Sequence, residues 1–198
     1  MSTFTRRAMG VALVIAFSQG AGAAQEQVVK GPPMPYEDAG ACPFECCVYR
    51  EWRANASVTL YRDRRIGSGV AFTANRGDEL RALTGVVVTL APGRVQFRAP
   101  VDLRTTTGIL HVEPGETLYL LTYLGEGSTR AWFQGHVYDE VDGAEFFNSR
   151  CAERPGTCNG SIVEAPRSEW WVRVRSPKGI TGWTNEPEKF DNKDACGG

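Results

Sequence analysis

The side chains best suited to acid–base or nucleophilic chemistry are two histidines and six cysteines. His111 and His136 each lie in a strand-like run with apolar neighbours. Histidine titrates near neutrality, so either one could act as a general acid or base. Cys47 with His136 is the nominal pair for a secreted cysteine hydrolase. We favour the simpler interpretation, in which both histidines lie on outer or partly buried strand faces, and we predict no catalytic residue.

The cysteine count argues against a free thiol nucleophile. The cysteines are Cys42, Cys46, Cys47, Cys151, Cys158 and Cys196. An even count in an exported chain indicates a disulfide framework, and oxidation removes the thiolate that a nucleophile needs. A bond between Cys151 and Cys158 would close a local loop, and a bond from Cys46 or Cys47 to Cys196 would join both ends of the domain. We expect at least one such long closure and no bond between the adjacent cysteines, because that geometry is strained.

Metal and cofactor motifs are weak. The acidic run 139–143, with Glu145 nearby, could offer oxygen ligands to calcium, but a solvated acidic turn explains it as well. No pair of Cys-x-x-Cys knuckles is present. The glycine pairs at 67–69 and 125–127 lack the third glycine and the helix of a nucleotide-binding loop. We therefore predict no metal and no cofactor.

The first 24 residues predict a secretory signal peptide. Arg6 and Arg7 precede an apolar run at 8–17, and small residues follow at 21–24. The apolar run is shorter than the roughly 20 residues that span a bilayer, which favours a cleaved signal over an anchor. We expect a soluble, periplasmic or secreted protein without a membrane anchor, exported by the Sec or the Tat route.

The charge of the mature chain excludes two classes of partner. Removing residues 1–24 takes away two of 22 basic residues and none of 23 acidic ones, so the net charge moves from -1 to -3. A general nucleic-acid binder would be expected to show a basic excess, as would a polybasic membrane anchor. We predict neither a nucleic-acid partner nor a membrane partner.

The elements that must position these side chains are predicted to be strands. After a flexible lead-in, which starts at residue 25 and is rich in proline, short segments with strand-like patterning are separated by glycine-rich turns. The predicted strands are 57–61, 79–90, 94–97, 108–112, 117–124, 130–138, 170–175 and 180–184. No window forms a convincing amphipathic helix. This spacing favours an all-β barrel or sandwich.

The segment 170–183 is typical of a hairpin. Val172 and Val174 alternate with Arg173 and Arg175, which is the period of a strand with one face in a core. Proline and glycine at 177 and 179 supply the turn, and the segment closes with Gly-Trp. The glycine would allow close approach of two backbones. This pattern resembles the last hairpin of a bacterial SH3-like (SH3b) domain.

A weak internal repeat extends the resemblance. Residues 77–84 match 115–122 at glycine, acid, both leucines and threonine. The fold expected is therefore all-β and disulfide-bonded, with one or two small SH3-like barrels. The boundaries are a signal peptide at 1–24, a lead-in with the first cysteines at 25–54, a module at 55–105, a barrel at 106–187 with a long loop insertion at 141–168, and a tail at 188–198 that holds Cys196. A single barrel with a β extension is the alternative.

The resemblance implies binding rather than catalysis, through an aromatic groove. The candidate ligand-binding residues are Trp132, Tyr138, Trp170, Trp171, Trp183, Arg173 and Arg175. Trp170 and Trp171 must point to opposite faces of a strand, so one of them should be core. The expected partner is a cell-wall component, in particular peptidoglycan, or an envelope protein bound as an extended peptide. The alternatives are the Cys47/His136 hydrolase and a structural or inhibitory protein whose loop at 151–158 plugs a partner enzyme.

Overall fold

The structure is a computed structural model that describes residues 31–147 and 158–196, so the predicted signal peptide lies outside it. Within these ranges there is no α-helix, and one 3₁₀ turn lies at Pro187–Lys189. The strands are β1 (Tyr36–Ala39), β2 (Glu51–Ala54), β3 (Val58–Tyr61), β4 (Val70–Ala74), β5 (Glu79–Ala91), β6 (Gly93–Phe97), β7 (Val101–Thr105), β8 (Gly108–Val112), β9 (Thr117–Gly125), β10 (Ser128–Phe133), β11 (His136–Asp142), β12 (Gly160–Glu164), β13 (Arg167–Arg175), β14 (Thr181–Thr184) and β15 (Phe190–Asp191). The all-β prediction is confirmed.

The strands form two units. The host unit contains β1–β5 and β13–β15, in the sheet order β15-β2-β5-β13-β14-β3-β4 with β1 added beside β5. The inserted unit contains β6–β12, with the sheet order β11-β10-β9-β6-β12 and a separate β7–β8 hairpin. The inserted unit lies in the chain between β5 and β13, which pair with each other along most of their length. The host sheet is therefore built from both ends of the described chain.

With β1 set aside, the two units share most of their strand pairings, although β14 also pairs with β3 in the host unit and the equivalent β7–β8 hairpin forms a separate sheet. In each unit the first strand pairs with the fourth (β2 with β5, β6 with β9), and the second and third form a hairpin (β3–β4, β7–β8). The fourth strand pairs with the fifth (β5 with β13, β9 with β10), and the fifth pairs with the sixth (β13 with β14, β10 with β11). The seventh strand pairs with the first (β15 with β2, β12 with β6). The predicted 105/106 boundary falls between β7 and β8, which pair with each other.

The internal repeat corresponds to the same turn in both units. Gly77 and Gly115 both have positive φ, +94° and +89°, which glycine tolerates without a side-chain clash. The next residue, Asp78 or Glu116, accepts a hydrogen bond from the backbone N–H three residues earlier, at 2.8 and 2.7 Å. Each turn leads into the fourth strand of its unit. The leucines that follow, Leu80 and Leu118, are buried in the two separate cores.

Each unit buries its own hydrophobic core. The host core contains Trp52, Leu60, Val172, Val174 and Phe190, so the predicted inward valines are confirmed. The predicted close approach at the Gly-Trp pair is also present, because a Cβ at residue 182 would lie 2.6 Å from the Cβ of Leu60. The inserted core is made by other residues: Val95, Phe97, Val101, Leu103, Leu110, Val112, Leu118, Leu120, Ala131, Phe133, Val141 and Phe146.

Three predictions about local structure are wrong. The segment 130–138 is not one strand, since Gln134 and Gly135 both have positive φ and make the turn between β10 and β11. The lead-in is not flexible over Tyr36–Ala39, because those residues form β1 on the edge of β5. The predicted loop insertion at 141–168 contains β12, which pairs with β6.

Disulfides join the two ends of the host unit. Cys46 bonds Cys196 across a sequence separation of 150, which confirms the expected long closure, and Cys47 bonds Cys42. Cys158 is disulfide-bonded, while Cys151 and the rest of its loop lie outside the described residues. Disulfides of this kind are compatible with an extracellular or periplasmic location. In the part of the chain that the structure describes, no helix is long and apolar enough to cross a membrane.

Candidate functional site

Strand alternation places three of the candidate residues on one face of the host sheet. Val172 and Val174 point into the core, so Trp171 and Arg173 of β13 point to the opposite face. Trp183 of β14 is directly opposite Arg173 in the β13–β14 ladder and therefore shares that face. We call these three residues, with Arg64 from the β3–β4 loop, the tryptophan face.

Two guanidinium groups lie close to the Trp183 ring. The Cζ atoms of Arg64 and Arg173 are 5.8 and 5.9 Å from the centroid of the Trp183 ring, within the range of a cation–π contact. Arg64 also forms an ion pair with Glu37 of β1 at 2.7 Å, and Arg173 donates a hydrogen bond to Thr181 at 3.3 Å. Trp183 is only partly buried. The arrangement presents a flat apolar ring close to two cations, which suits a ligand with both apolar and anionic groups.

A recess of about 770 Å³ adjoins this face. Its lining includes Trp171, Arg64, Ile66 and Glu169. Trp171 is 5% exposed and its indole N–H donates to Glu169 at 3.1 Å, whereas Ile66 is 66% exposed. The recess thus has a fixed aromatic wall on one side and an exposed apolar loop residue on the other.

Trp170 lies on the opposite side of β13 and is not part of the tryptophan face. It packs against the host core in T-shaped contacts with Trp52 and Phe44. Its indole N–H donates to the hydroxyl of Tyr49 at 3.2 Å, and burial raises the pKa of Tyr49 to about 12. The two adjacent tryptophans point to opposite faces as expected: Trp170, partly buried, packs against the host core, and Trp171, 5% exposed, lines the recess. The Trp170 ring packs inside the host unit, so this candidate ligand-binding residue does not share a face with Trp171, Arg173 and Trp183.

Trp132 and Tyr138 lie in the inserted unit, away from the tryptophan face. Trp132 is 6% exposed and makes a T-shaped contact with Tyr119, with ring centroids 5.4 Å apart. A Cβ at Gly31 would lie 3.3 Å from the Tyr119 ring, so the start of the described lead-in lies close to that ring. Tyr138 packs on the inserted core. The structure therefore brings Trp171, Arg173 and Trp183 together and does not bring these two residues to them.

Sequence reasoning missed an ionic site between the two units. The Asp38 side chain, on β1, is 4% exposed and forms an ion pair with Arg130 of β10, which also pairs with Asp139 of β11. Burial favours a neutral Arg130, but these two carboxylates outweigh it and raise the pKa of Arg130. Tyr36 also interacts with Arg130, and burial raises the Tyr36 pKa. The second oxygen of Asp38 is buried with no hydrogen-bond partner among the described residues.

The histidines and Cys47 do not form a catalytic pair. Cys47 is bonded to Cys42, so the Cys47/His136 hydrolase hypothesis is wrong about its nucleophile. His136 and His111 are exposed on strands, as predicted. His111 lies between the carboxylates of Asp102 (2.7 Å) and Glu113 (2.9 Å), which raise its pKa.

The acidic run at 139–143 is engaged with the protein itself. Asp139 pairs with Arg130, and Asp142 lies 3.8 Å from Arg104 and accepts a hydrogen bond from a backbone N–H at 2.9 Å. Elsewhere in the described ranges, Cys46, Cys196 and Asp194 place possible ligand atoms within 4.8 Å of one another. The two sulfurs are joined in a disulfide and cannot serve as thiolate ligands.

The second arginine predicted on β13, Arg175, is exposed on the same side as Arg173 and opposite Arg81 of β5. Arg81 pairs with Glu51 at 2.6 Å. The host sheet thus continues its outward face from the tryptophans into an arginine-rich strip. Comparison with family models, with curated proteins and with solved structures gives no match to this chain.

Proposed function

We propose that this chain is a non-enzymatic binding module of the cell envelope, built from SH3-like barrels and periplasmic or secreted after removal of residues 1–24. It recognises peptidoglycan or an extended peptide of an envelope protein through an aromatic groove. The observation that carries the proposal is the tryptophan face, where Trp183 lies partly exposed close to Arg64 and Arg173. Aromatic rings supply contact area at low entropic cost, and guanidinium groups supply carboxylate recognition.

The neighbouring recess supports the same proposal. Single exposed apolar side chains are ordinary on a monomer, so the support comes from their position beside a recess with a buried aromatic wall. Ile66, 66% exposed, lines the recess, and Val70, 53% exposed, starts the edge strand β4. An extended ligand crossing from β4 to β13 would contact both apolar and cationic groups.

The test is co-sedimentation of the oxidised mature protein, residues 25–198, with intact peptidoglycan, together with capture of envelope proteins on the immobilised chain. Trp183→Ala removes the partly exposed ring. Ile109→Ala is the matched control, because Ile109 is an exposed apolar residue of β8 in the inserted unit. We expect Trp183→Ala, and not Ile109→Ala, to lose the bound ligand while the circular dichroism spectrum stays unchanged. Equal retention by all three proteins, or retention by none, would refute the proposed function.

A further inference from the structure

The equivalence of the two units extends to single residues on the outward faces. The internal repeat aligns Thr84 of β5 with Thr122 of β9. Thr84 is opposite Arg173 on β13, and Thr122 is opposite Arg130 on β10. Both ladders shift register directly after the arginine, so each arginine precedes a bulge at the same point. Arg173 of the host unit and Arg130 of the inserted unit therefore occupy the same position.

In the inserted unit this position holds a ligand that the chain itself supplies. The extended strand β1 brings in Asp38, buried to 4% exposure, whose carboxylate pairs with Arg130. Tyr36, two residues earlier and so on the same side of the strand, also interacts with that guanidinium. β1 is itself paired with β5 of the host sheet, and its contact with Arg130 shows how an arginine at this position holds the acid of an extended strand that carries an aromatic residue two positions away.

In the host unit the corresponding arginine has no acidic partner among the residues that the structure describes. The side chains that Arg173 contacts through its guanidinium are neutral, namely Thr181 and Trp183. Within the described ranges, no carboxylate lies within 4.0 Å of the Arg173 or Arg175 guanidinium, whereas Arg130 has two such partners. The Arg173 guanidinium is therefore exposed beside an indole ring and has no ion-pair partner in the described ranges, although the adjoining recess is lined by Glu37, Asp63 and Glu169.

We propose that the Arg173 position of the host unit binds an acidic side chain of an extended protein segment, in the mode by which Arg130 holds Asp38. The proposal rests on the proposed function and narrows its ligand to a peptide of the form aromatic-x-acid. The guanidinium of Arg173 takes the carboxylate, and the Trp183 ring packs the aromatic or apolar side chain two residues away. Charge-assisted hydrogen bonds of this type are about twice as strong as neutral ones, so loss of the acid should weaken binding.

The test is a fluorescence anisotropy titration with a peptide copied from residues 34–41, labelled at its N-terminus and amidated at its C-terminus. A second peptide replaces its two acids by Gln and Asn. The protein variants are Arg173→Gln and, as a control that loses the same charge from the same hairpin, Lys178→Gln, which is exposed in the β13–β14 turn. We expect Arg173→Gln to raise the Kd for the acidic peptide about tenfold or more and Lys178→Gln to change it by less than about twofold. The wild type should bind the neutral peptide as weakly as Arg173→Gln binds the acidic one.

Two results would overturn this inference. One is the absence of binding by the wild type at millimolar peptide in low salt, and the other is equal affinity of the wild type and Arg173→Gln. Either result leaves the proposed function standing if the wild type still sediments with peptidoglycan in a manner that depends on Trp183. Conversely, Arg173-dependent peptide binding with no ligand retained in the sedimentation and capture assays refutes the envelope role and supports this site.

Discussion

Replacing Arg130 by methionine should destabilise the fold far more than replacing an arginine on the open surface. The Asp38 carboxylate is 4% exposed, and removing its guanidinium partner leaves a buried, uncompensated charge. The cost of breaking such a pair from one side is about 3–5 kcal/mol. Asp38→Val should cost less, because Arg130 keeps its second partner, Asp139, and is 23% exposed to water.

The double variant Asp38→Val/Arg130→Met separates the cost of burying an unpaired charge from the energy of the ion pair itself. It removes both charges and fills their space with apolar groups, an exchange that is often neutral or stabilising. We therefore expect the double variant to be more stable than Arg130→Met alone, so that the two effects are not additive. Arg104→Met is the matched control: Arg104 is 82% exposed and 3.8 Å from Asp142, which predicts a loss below about 1 kcal/mol.

The assay is urea unfolding of the oxidised protein, followed by far-UV circular dichroism and by tryptophan fluorescence. A protein with two cores need not unfold in one step, so two-state unfolding must be demonstrated. Coincident transitions for the two probes would justify a single two-state free energy of unfolding. A loss below about 1 kcal/mol for Arg130→Met would refute the account of this pair as a buried contact between the units. A double variant as unstable as the sum of the single variants would refute the coupling.

Three other consequences can be measured directly. The Asp102 and Glu113 carboxylates raise the pKa of His111, so an NMR titration should give a midpoint above 6.5. Asp102→Asn should lower that midpoint. The stability that this site contributes is present below pH 6.5 and is lost as the pH rises through the folded-state pKa of His111. In the chain-entropy model, opening the 150-residue link with Cys196→Ser should cost about 5 kcal/mol, and opening the five-residue link with Cys42→Ser should cost about 2 kcal/mol. The difference should appear in the urea midpoints of the two variants, and equal midpoints would contradict the model. Gly182→Ala should destabilise by about 1–3 kcal/mol, because its new Cβ would clash with a buried leucine, and an unchanged melting temperature would contradict that.

The parts of the fold that sequence reasoning predicts are those with local signals. The alternation of Val172 and Val174 identifies the inward face of β13, and the repeated Gly-acid turn identifies the start of β5 and β9. The order in which these strands pair is not local. β5 and β13 are separated by the entire inserted unit, and no pattern in either strand specifies that distant partner. The nested arrangement is therefore beyond a prediction based on periodicity and turns.

The candidate site divides in the same way. Trp171, Arg173 and Trp183 lie within one hairpin, so alternation and the turn suffice to place them on one face. The pairing of Asp38 with Arg130 joins two units across 92 positions of sequence, and the prolines of the lead-in predict flexibility where the chain forms a strand. The equivalence of Arg130 and Arg173 emerges only from the pairing of β5 with β13 and of β9 with β10, so the repeat in the sequence does not reveal it.

The residues next to that arginine explain why one copy is covered and the other is open. The inserted unit carries Tyr119 opposite Trp132, and the same two positions in the host unit are Arg81 opposite Arg175. An aromatic pair gains free energy when a chain segment excludes water from it, whereas a pair of arginines loses hydration. The lead-in accordingly lies against Tyr119 of the aromatic pair, and the arginine pair of the host unit remains at the surface. The difference in residue type at two equivalent positions thus distinguishes a face used for internal packing from a face that stays exposed to solvent.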